Sequence, residues 1–394
     1  MRNFSTIKLG DVLEERQEKI SPKEANENSL QRVSKIDFKG NIHLSLHKDT
    51  KTNMIKVMPG DLLISGINVS KGALSFYHGI NPVTATIHYS SYSVRSQKIN
   101  PIYLKWYLKS NAFKKAIDEQ VRGGIKTEIK SKLFLPIEIN IHSSLAEQEK
   151  IAEKITSTAN KISRLQKLKC QNIALINILQ NKVFTEAYNS AEKAGKIYDL
   201  IELIKEKPRN GYSPKPVDYE TPCKSLTLSA TTSGYFDGSY SKFIDEEINP
   251  SSHLWLNDGD ILIQRGNSME YVGVSAIYRG AANSFIYPDL MMKIVPKQLI
   301  FSEYLHLMLM SNQVRSYFRE NASGTSGSMP KINQGTVMKS PIPYIDLDMQ
   351  KEIIQISQRR LGMCNDLANE ISSGVRSTNG LLEALLDDIF MRIL

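Results

Sequence analysis

The same short phrases occur twice in this chain, about 200 residues apart. Gly60-Asp61-Leu62-Leu63-Ile64 returns as Gly259-Asp260-Ile261-Leu262-Ile263, Tyr103-Leu104 as Tyr304-Leu305, and Ser110-Asn111 as Ser311-Asn312. Leu135-Pro136-Ile137 returns as Ser340-Pro341-Ile342, and Gln148-Glu149-Lys150-Ile151 as Gln350-Lys351-Glu352-Ile353. The offset drifts only from 199 to 205 across these anchors. Such a sequence is expected to fold as two copies of one unit, each a globular part followed by a long helix. A monomer built this way has an internal pseudo-twofold relation, which suits a target with two separated parts.

At 394 residues the chain is long enough for two full cores. No run of about 18 apolar residues occurs, so no membrane-spanning helix is expected. Met1 to Thr6 lacks an apolar signal stretch. Cys170, Cys223 and Cys364 are far apart and read as free thiols of a reducing, cytoplasmic protein. The net charge is +9, unevenly spread: residues 1–195 hold 30 Lys+Arg against 18 Asp+Glu, and residues 196–394 hold 20 against 23. The balance points to an anionic partner, with the first half supplying more of the sequence-blind attraction.

Residues 1–144 read as a mixed globular domain. Ile36 to Leu44 has a hairpin pattern, Met58-Pro59-Gly60-Asp61 a turn into a strand, and Asn100 to Gln120 a helix capped by Asn100 with Pro101 in its first position. Residues 145–193 contain no Gly or Pro up to Glu186 and carry a heptad stripe, with Ile155, Ile162, Lys169, Ile176 and Val183 at one position and Thr158, Leu165, Asn172, Leu179 and Glu186 three residues on. Asn189 to Lys193 reads as a linker. Residues 194–345 repeat the globular plan, including a helix from Ser302 to Glu320. Residues 346–394 carry heptads again, at Ile354, Leu361, Ala368, Val375, Leu382 and Ile389. Gly362, Gly374 and Gly380 weaken that helix alone, by about 1 kcal/mol each, so it needs a partner. The fold class expected is α+β: two globular α/β domains separated by two long helices that form an antiparallel coiled coil.

Catalytic signatures are missing. Gly324 to Lys331 has glycines and a lysine without the spacing of a phosphate loop, and Pro330 lacks an N–H. His43 and His47 have no third ligand nearby, so no metal site is expected. Pro288-Asp289 is not followed by Glu-x-Lys. The chain reads as a non-catalytic protein.

Several phrases of the second unit, in order, resemble the DNA specificity subunits of type I restriction–modification systems. They are Asn210-Gly211-Tyr212-Ser213-Pro214-Lys215, Leu226 to Gly234, Gly259 to Gly266, Gly324 to Asn333, and Pro341-Ile342-Pro343 before a heptad helix. The resemblance covers nearly the whole chain. The first unit matches less closely: Ile7 to Leu13 and the Gly60-Asp61 turn fit, the Asn-Gly-Tyr-Ser-Pro-Lys phrase is absent, and Ser65 or Gly66 stands where the second unit has Arg265. The resemblance implies two target-recognition domains that read different halves of a split, asymmetric site in double-stranded DNA. It implies paired helices that set the spacing between the halves, two modification (methyltransferase) subunits docked on them, and restriction/translocase subunits. S-adenosylmethionine, ATP and Mg belong on those partners, and no cofactor on this chain. An interaction scaffold with two protein-binding domains is the alternative reading.

Candidate DNA contacts follow. Arg265, beside Gly266-Asn267, can take a guanine edge bidentately or bind a phosphate. Ser326, Ser328, Lys331 and Asn333 lie in a donor-rich loop suited to phosphates, with Asn333 also placed to read a base. Lys126, Thr127 and Lys130 are the first unit's version of that loop. Tyr212, Ser213 and Lys215 sit in a Pro-bounded turn that either approaches DNA or fixes the domain's first strand. Lys169 and Asn172, polar at heptad positions, either meet a partner subunit or set register.

Overall fold

A computed structural model describes residues 4–45, 53–95, 97–121, 128–324, 329–376 and 380–391. The chain divides into two compact units, residues 1–168 with 373–394, and residues 169–372. The fold mixes helix and sheet, with one unbroken helix, Leu145–Ala194, lying in sequence between two sheet-rich domains.

Both units follow one plan. The first strand pairs antiparallel with the last, Phe4–Lys8 with Glu138–His142 and Lys196–Asp199 with Pro341–Tyr344. A one-turn helix comes next in each, Leu9–Val12 and Leu200–Leu203. Both are entered alike: a carboxylate accepts the backbone N–H of the residue before the helix, Asp11 from Lys8 at 2.9 Å and Glu202 from Asp199 at 3.1 Å. The four-stranded sheets also correspond. Their strand orders are Leu13–Glu15, Tyr89–Val94, Leu62–Ser65, Leu74–Phe76, and Arg209–Asn210, Met291–Ile294, Ile261–Gln264, Ser275–Ile277.

The repeated Gly-Asp phrase is the turn entering the central strand of that sheet. Gly60 and Gly259 have φ of 90° and 89°, a conformation that costs other residues strain. The following carboxylate closes the turn, Asp61 accepting the N–H of Met58 and Asp260 that of Asn257, both at 2.9 Å. Both carboxylates are buried and each has a cation of its own. Arg16 forks onto Asp61 at 2.6 and 2.8 Å, and Lys293 lies 3.6 Å from Asp260.

A further sheet shows where the copies part. Val83–Ala85, Arg32–Ile36 and Ile42–Ser45 make one parallel and one antiparallel pairing, as do Phe285–Ile286, Cys223–Leu226 and Ser241–Ile244. The first unit extends its trio at the parallel edge with Met54–Val57 and Lys19–Ile20. The second extends at the antiparallel edge with Pro216–Val217.

The helix expected over Asn100 to Gln120 is two helices, Pro101–Tyr107 and Asn111–Gln120, and the one over Ser302 to Glu320 is likewise Ser302–Met310 and Asn312–Glu320. The repeated Ser-Asn phrase is the break. Ser110 and Ser311 each accept the N–H three residues on, at 3.4 Å, and donate to the carbonyl three residues back, at 2.6 Å. Asn100 caps as expected, accepting from Ile102 and Tyr103 at 2.9 and 3.0 Å.

The repeated glutamines fasten each long helix to its domain. Gln148 accepts the N–H of Asn100 at 2.8 Å and donates to the His142 carbonyl at 2.6 Å. Gln350 accepts the N–H of Phe301 at 3.0 Å and donates to the carbonyls of Ile345 and Leu299 at 2.9 and 3.1 Å. Both side chains are buried.

Each core is completed by the end of the long helical segment that begins in the other copy. Val183, Phe184, Ala187, Tyr188 and Ala191 belong to the second unit's core, so Asn189 to Lys193 is helix and not the expected linker. In the first unit the same place is taken by Leu386 and Phe390 of the helix Leu381–Phe390. The Phe390 ring meets Tyr103 and Tyr107 edge-on, with centroids 5.4 and 5.3 Å away. Of the segment expected as one second long helix, the described residues form Leu347–Arg376 and Leu381–Phe390, and 377–379 lie outside the described residues.

Within the second unit the two long helices run antiparallel: Gln180 donates to Asn365 at 2.8 Å, and Glu186, six residues on, pairs with Arg360, five residues back. Only part of the first heptad stripe faces inward. Ile155, Ile176 and Val183 are buried, whereas Leu165, Asn172 and Leu179 are exposed. In the second helix Ser357 and Leu361 are buried.

Two predictions follow from these contacts. Gln148→Leu and Gln350→Leu each strand a buried backbone N–H, so each should lower stability by about 1–3 kcal/mol in urea titrations. His306 is buried beside Ser275, 3.1 Å from its hydroxyl, and burial holds its imidazole at about 4, below the usual 6.5. The unfolded chain then binds one more proton between these values. Stability should fall by roughly 3 kcal/mol as pH drops through that window, and His306→Leu should flatten this part of the pH profile of the urea midpoint.

Candidate nucleic-acid interface

At the far end of the central strand from the Gly-Asp turn, the second unit gathers three chain segments. The strand Ile261–Gln264 runs into Arg265 and Gly266, whose N–H groups donate to the Leu290 carbonyl at 2.9 and 3.3 Å. Ile332 donates to the Arg265 carbonyl at 2.8 Å, which seats the Lys331-to-Asn333 stretch alongside. Ser323 and Lys331 exchange backbone hydrogen bonds at 2.8 Å, so the donor-rich loop between them is closed at its base. Its members Ser326 and Ser328 lie outside the described residues, as do Lys126 and Thr127 of the first unit.

The Asn-Gly-Tyr-Ser phrase is the third segment. Gly211 donates to the Met291 carbonyl at 3.1 Å and Tyr212 to Tyr287 at 2.9 Å. A Cβ on Gly211 would stand 2.1 Å from the Tyr287 carbonyl oxygen, so only glycine fits there. The Tyr212 hydroxyl donates to Glu246 at 3.0 Å, and the Ser213 hydroxyl to Asp289 at 2.5 Å. The exposed Tyr212 phenol is pushed up by Glu246. These two residues are therefore tied to their own domain, while Lys215 is exposed.

Arg265 is half-buried, and its Nε has no hydrogen-bond partner among the described residues. The same holds for the buried Oδ1 of Asn210, which lines one open cleft with Arg265, Asn333, Gln334 and Gly335. No carboxylate among the described residues pairs with Arg265. Lys331 is exposed. Asn333 caps the helix Gln334–Met338 by accepting the Thr336 N–H at 2.9 Å, which leaves its amide NH2 for other use. Asn267 turns inward: it donates to Gln264 at 2.7 Å and accepts the Ser268 N–H at 2.7 Å. Gln264 in turn donates to Leu228, Thr231 and Thr232 at 3.0–3.1 Å. The Leu226-to-Gly234 phrase thus buttresses the strand that carries Arg265. Asn210 and Gln334 were not singled out from sequence, because their place in the cleft depends on strand register and a helix start far apart in the chain.

The first unit builds the same frame with different side chains. Ile129 donates to the Gly66 carbonyl at 2.8 Å, as Ile332 does to Arg265. Gly66 therefore stands at the position of Arg265, Glu128 at that of Lys331, and Lys130 at that of Asn333. Glu128 pairs with Lys130 at 3.4 Å and with His88 at 3.5 Å. On the long helix Lys169 is half-buried and Asn172 exposed. Leu175, Ile178 and Leu179 nearby are exposed as well. No group of three or more potential metal ligands occurs among the described residues, and no described helix is long and apolar enough to cross a membrane.

No protein-family model matches the chain. Over 179 residues it is 25% identical to the type I restriction enzyme EcoEI specificity subunit of Escherichia coli, a stretch that is 44% of this chain and 30% of that protein's length. Two solved structures share its fold. One belongs to work on complex assembly and conformational transition of the type I R-M system, with a TM-score of 0.70 and 13% identity over 99% of this chain and 98% of that one. The other is the HsdS subunit from Thermoanaerobacter tengcongensis, with a TM-score of 0.55 and 14% identity over 100% and 98%.

The crowding at Gly211 gives a direct check. Gly211→Ala should displace the Tyr287-Pro288 carbonyls and cost more than about 1 kcal/mol, read as a lower melting temperature. Lys215→Ala, on the same turn but exposed, should leave it unchanged.

Proposed function

We propose that this chain, which has the fold of type I restriction–modification specificity subunits, is the sequence-reading member of such a complex. Each globular unit reads one half of a split, asymmetric DNA target. The observation that carries this reading is the exchange of side chains on one backbone frame: Gly66, Glu128 and Lys130 in the first unit, Arg265, Lys331 and Asn333 in the second. Two domains for the same half-site would have no use for opposite charges at equivalent positions. An arginine without a carboxylate partner, in an open cleft, suits bidentate capture of a guanine edge. Lys331 and Lys130 suit phosphates, which set position and carry no sequence information.

The long helices serve as spacer and docking site in this reading. Leu175, Ile178 and Leu179, exposed beside Lys169 and Asn172, favour a partner on the first helix, and modification subunits are the partner proposed. Methyl transfer to adenine and DNA translocation fall to those partner subunits, with base flipping on the methyltransferase. This chain supplies position.

The test uses the chain with its modification subunits and a selected duplex, followed by fluorescence anisotropy across a salt series. Arg265→Ala should weaken the selected duplex by about 10- to 100-fold, equivalent to 1–3 kcal/mol, and relax selectivity in one half-site only. Lys331→Ala should weaken all duplexes alike and reduce the salt slope by about one. A footprint of the same complex with a single contiguous protected segment, or affinity indifferent to salt, would contradict a bipartite DNA reader.

A further inference from the structure

A second basic cluster lies at the other end of the first unit's central strand, away from Gly66 and Lys130. Tyr77 donates to the Asp61 carbonyl at 2.8 Å, which brings His78 to the Gly-Asp end of the sheet. The helix Pro101–Tyr107 supplies Lys105, and Lys109 follows it. These three basic residues line one cleft of about 400 Å³ together with Gly40, Asn41 and Ser75. Lys105 Nζ lies 3.1 Å from His78 Nε2. An ammonium only donates, so His78 must accept there and is neutral in this arrangement.

The internal repeat shows that this cluster is not part of the scaffold. Its equivalents in the second unit are Arg279, His306 and Met310, by the shared register of Tyr77 with Tyr278 and Tyr103 with Tyr304. There the one exposed cation, Arg279, is neutralised by Asp258 at 2.9 Å and by Glu303. Pro59 and Ile102 occupy those two positions in the first unit. The first unit thus carries two lysines and neither carboxylate at the same place. Among the described residues the carboxylate that acts on the cluster is Asp37, through Lys109. Asp37 is already saturated by its own turn, accepting from Asn41 at 2.8 and 2.9 Å, from Lys39 at 3.0 Å, and lying 3.2 Å from His43. Burial pushes Lys105 and Lys109 down, and burial with the two lysines pushes His78 down.

We propose that the cleft lined by His78, Lys105 and Lys109 binds a phosphate-type oxyanion. A tetrahedral oxyanion there would supply the negative charge that Asp258 and Glu303 supply in the second unit. It would also allow His78 to take a proton and donate. The group is either free phosphate or a backbone phosphate of DNA, and both present the same oxygens. The site is separate from the rim around Lys130 and does not depend on which residues read bases.

The experiment follows the titration of His78 by NMR in the full chain carrying labelled histidine, with His78→Asn to assign the signal. In chloride buffer it should titrate below the ordinary histidine range. Millimolar inorganic phosphate should raise the midpoint by about one pH unit. A duplex of unrelated sequence, added in place of phosphate, tests the second source. A shift with phosphate assigns a free-oxyanion site, and a shift with duplex alone assigns a backbone phosphate. Ile102→Glu, at a half-exposed position and copying Glu303, should raise the midpoint on its own and abolish any further shift. Lys109→Met, copying Met310, should reduce the shift. No shift with either ligand overturns the site, and so does a shift that persists undiminished in both variants.

Discussion

A buried glutamine holds each long helix to the domain it leaves. Gln148 and Gln350 answer backbone groups on two sides at once, the start of the inner helix and the end of the last strand. A buried carboxamide that satisfies both its donor and its acceptor is costly to misplace, because each backbone group it serves has no water to fall back on. The direction in which each long helix departs therefore follows from hydrogen bonding within its own domain. Everything farther along the helix, including the apolar residues that enter another core, inherits that direction.

The parts that were legible in the sequence are those where backbone geometry restricts side-chain choice. A left-handed turn needs glycine, its carboxylate clamp needs Asp, a helix start needs Ser or Asn, and a buried two-sided contact needs Gln. These are the phrases that occur twice. Periodicity served less well. Apolar spacing continues across Ser110 and Ser311, so each inner helix pair reads as one. On the first long helix Leu165 and Leu179 keep the heptad yet stay exposed, whereas Phe184, Ala187 and Tyr188, off that stripe, are buried. Asn189 to Lys193 looks like a linker until Tyr188 and Ala191 are seen anchored in a core. The cleft beside Arg265 is legible only in part, since Asn210 and Gln334 reach it through register. Asn267, chosen for its neighbourhood, is occupied by Gln264 and Ser268.

The two copies differ where the frame leaves side chains unconstrained. Gly66 and Arg265 share the same backbone hydrogen bond from an isoleucine, although a Cβ at Gly66 would stand 3.0 Å from Glu128 Cγ, so the backbone frame is kept while the side chains around it differ. The buried aspartates make the same point from inside. Asp61 and Asp260 clamp identical turns but take their cations from different places, Arg16 just past the strand Leu13–Glu15 and Lys293 within the strand Met291–Ile294. The clamp demands a compensating charge and is indifferent to where it comes from. Such indifference lets the two copies differ in side chains without losing the shared turn.

The exchange of helix ends has a consequence for how the chain is made. The second unit draws its core from residues 169–372, one continuous stretch. The first unit needs Leu386 and Phe390 against Tyr103 and Tyr107, partners separated by nearly three hundred positions. On a ribosome, everything required by the second unit emerges before the piece that finishes the first. The domain synthesised first is thus the one completed last, and until then it offers an open apolar slot beside Tyr103 and Tyr107. Nascent chains halted shortly before Leu381 would have that slot exposed although the residues of the second unit's core are already made.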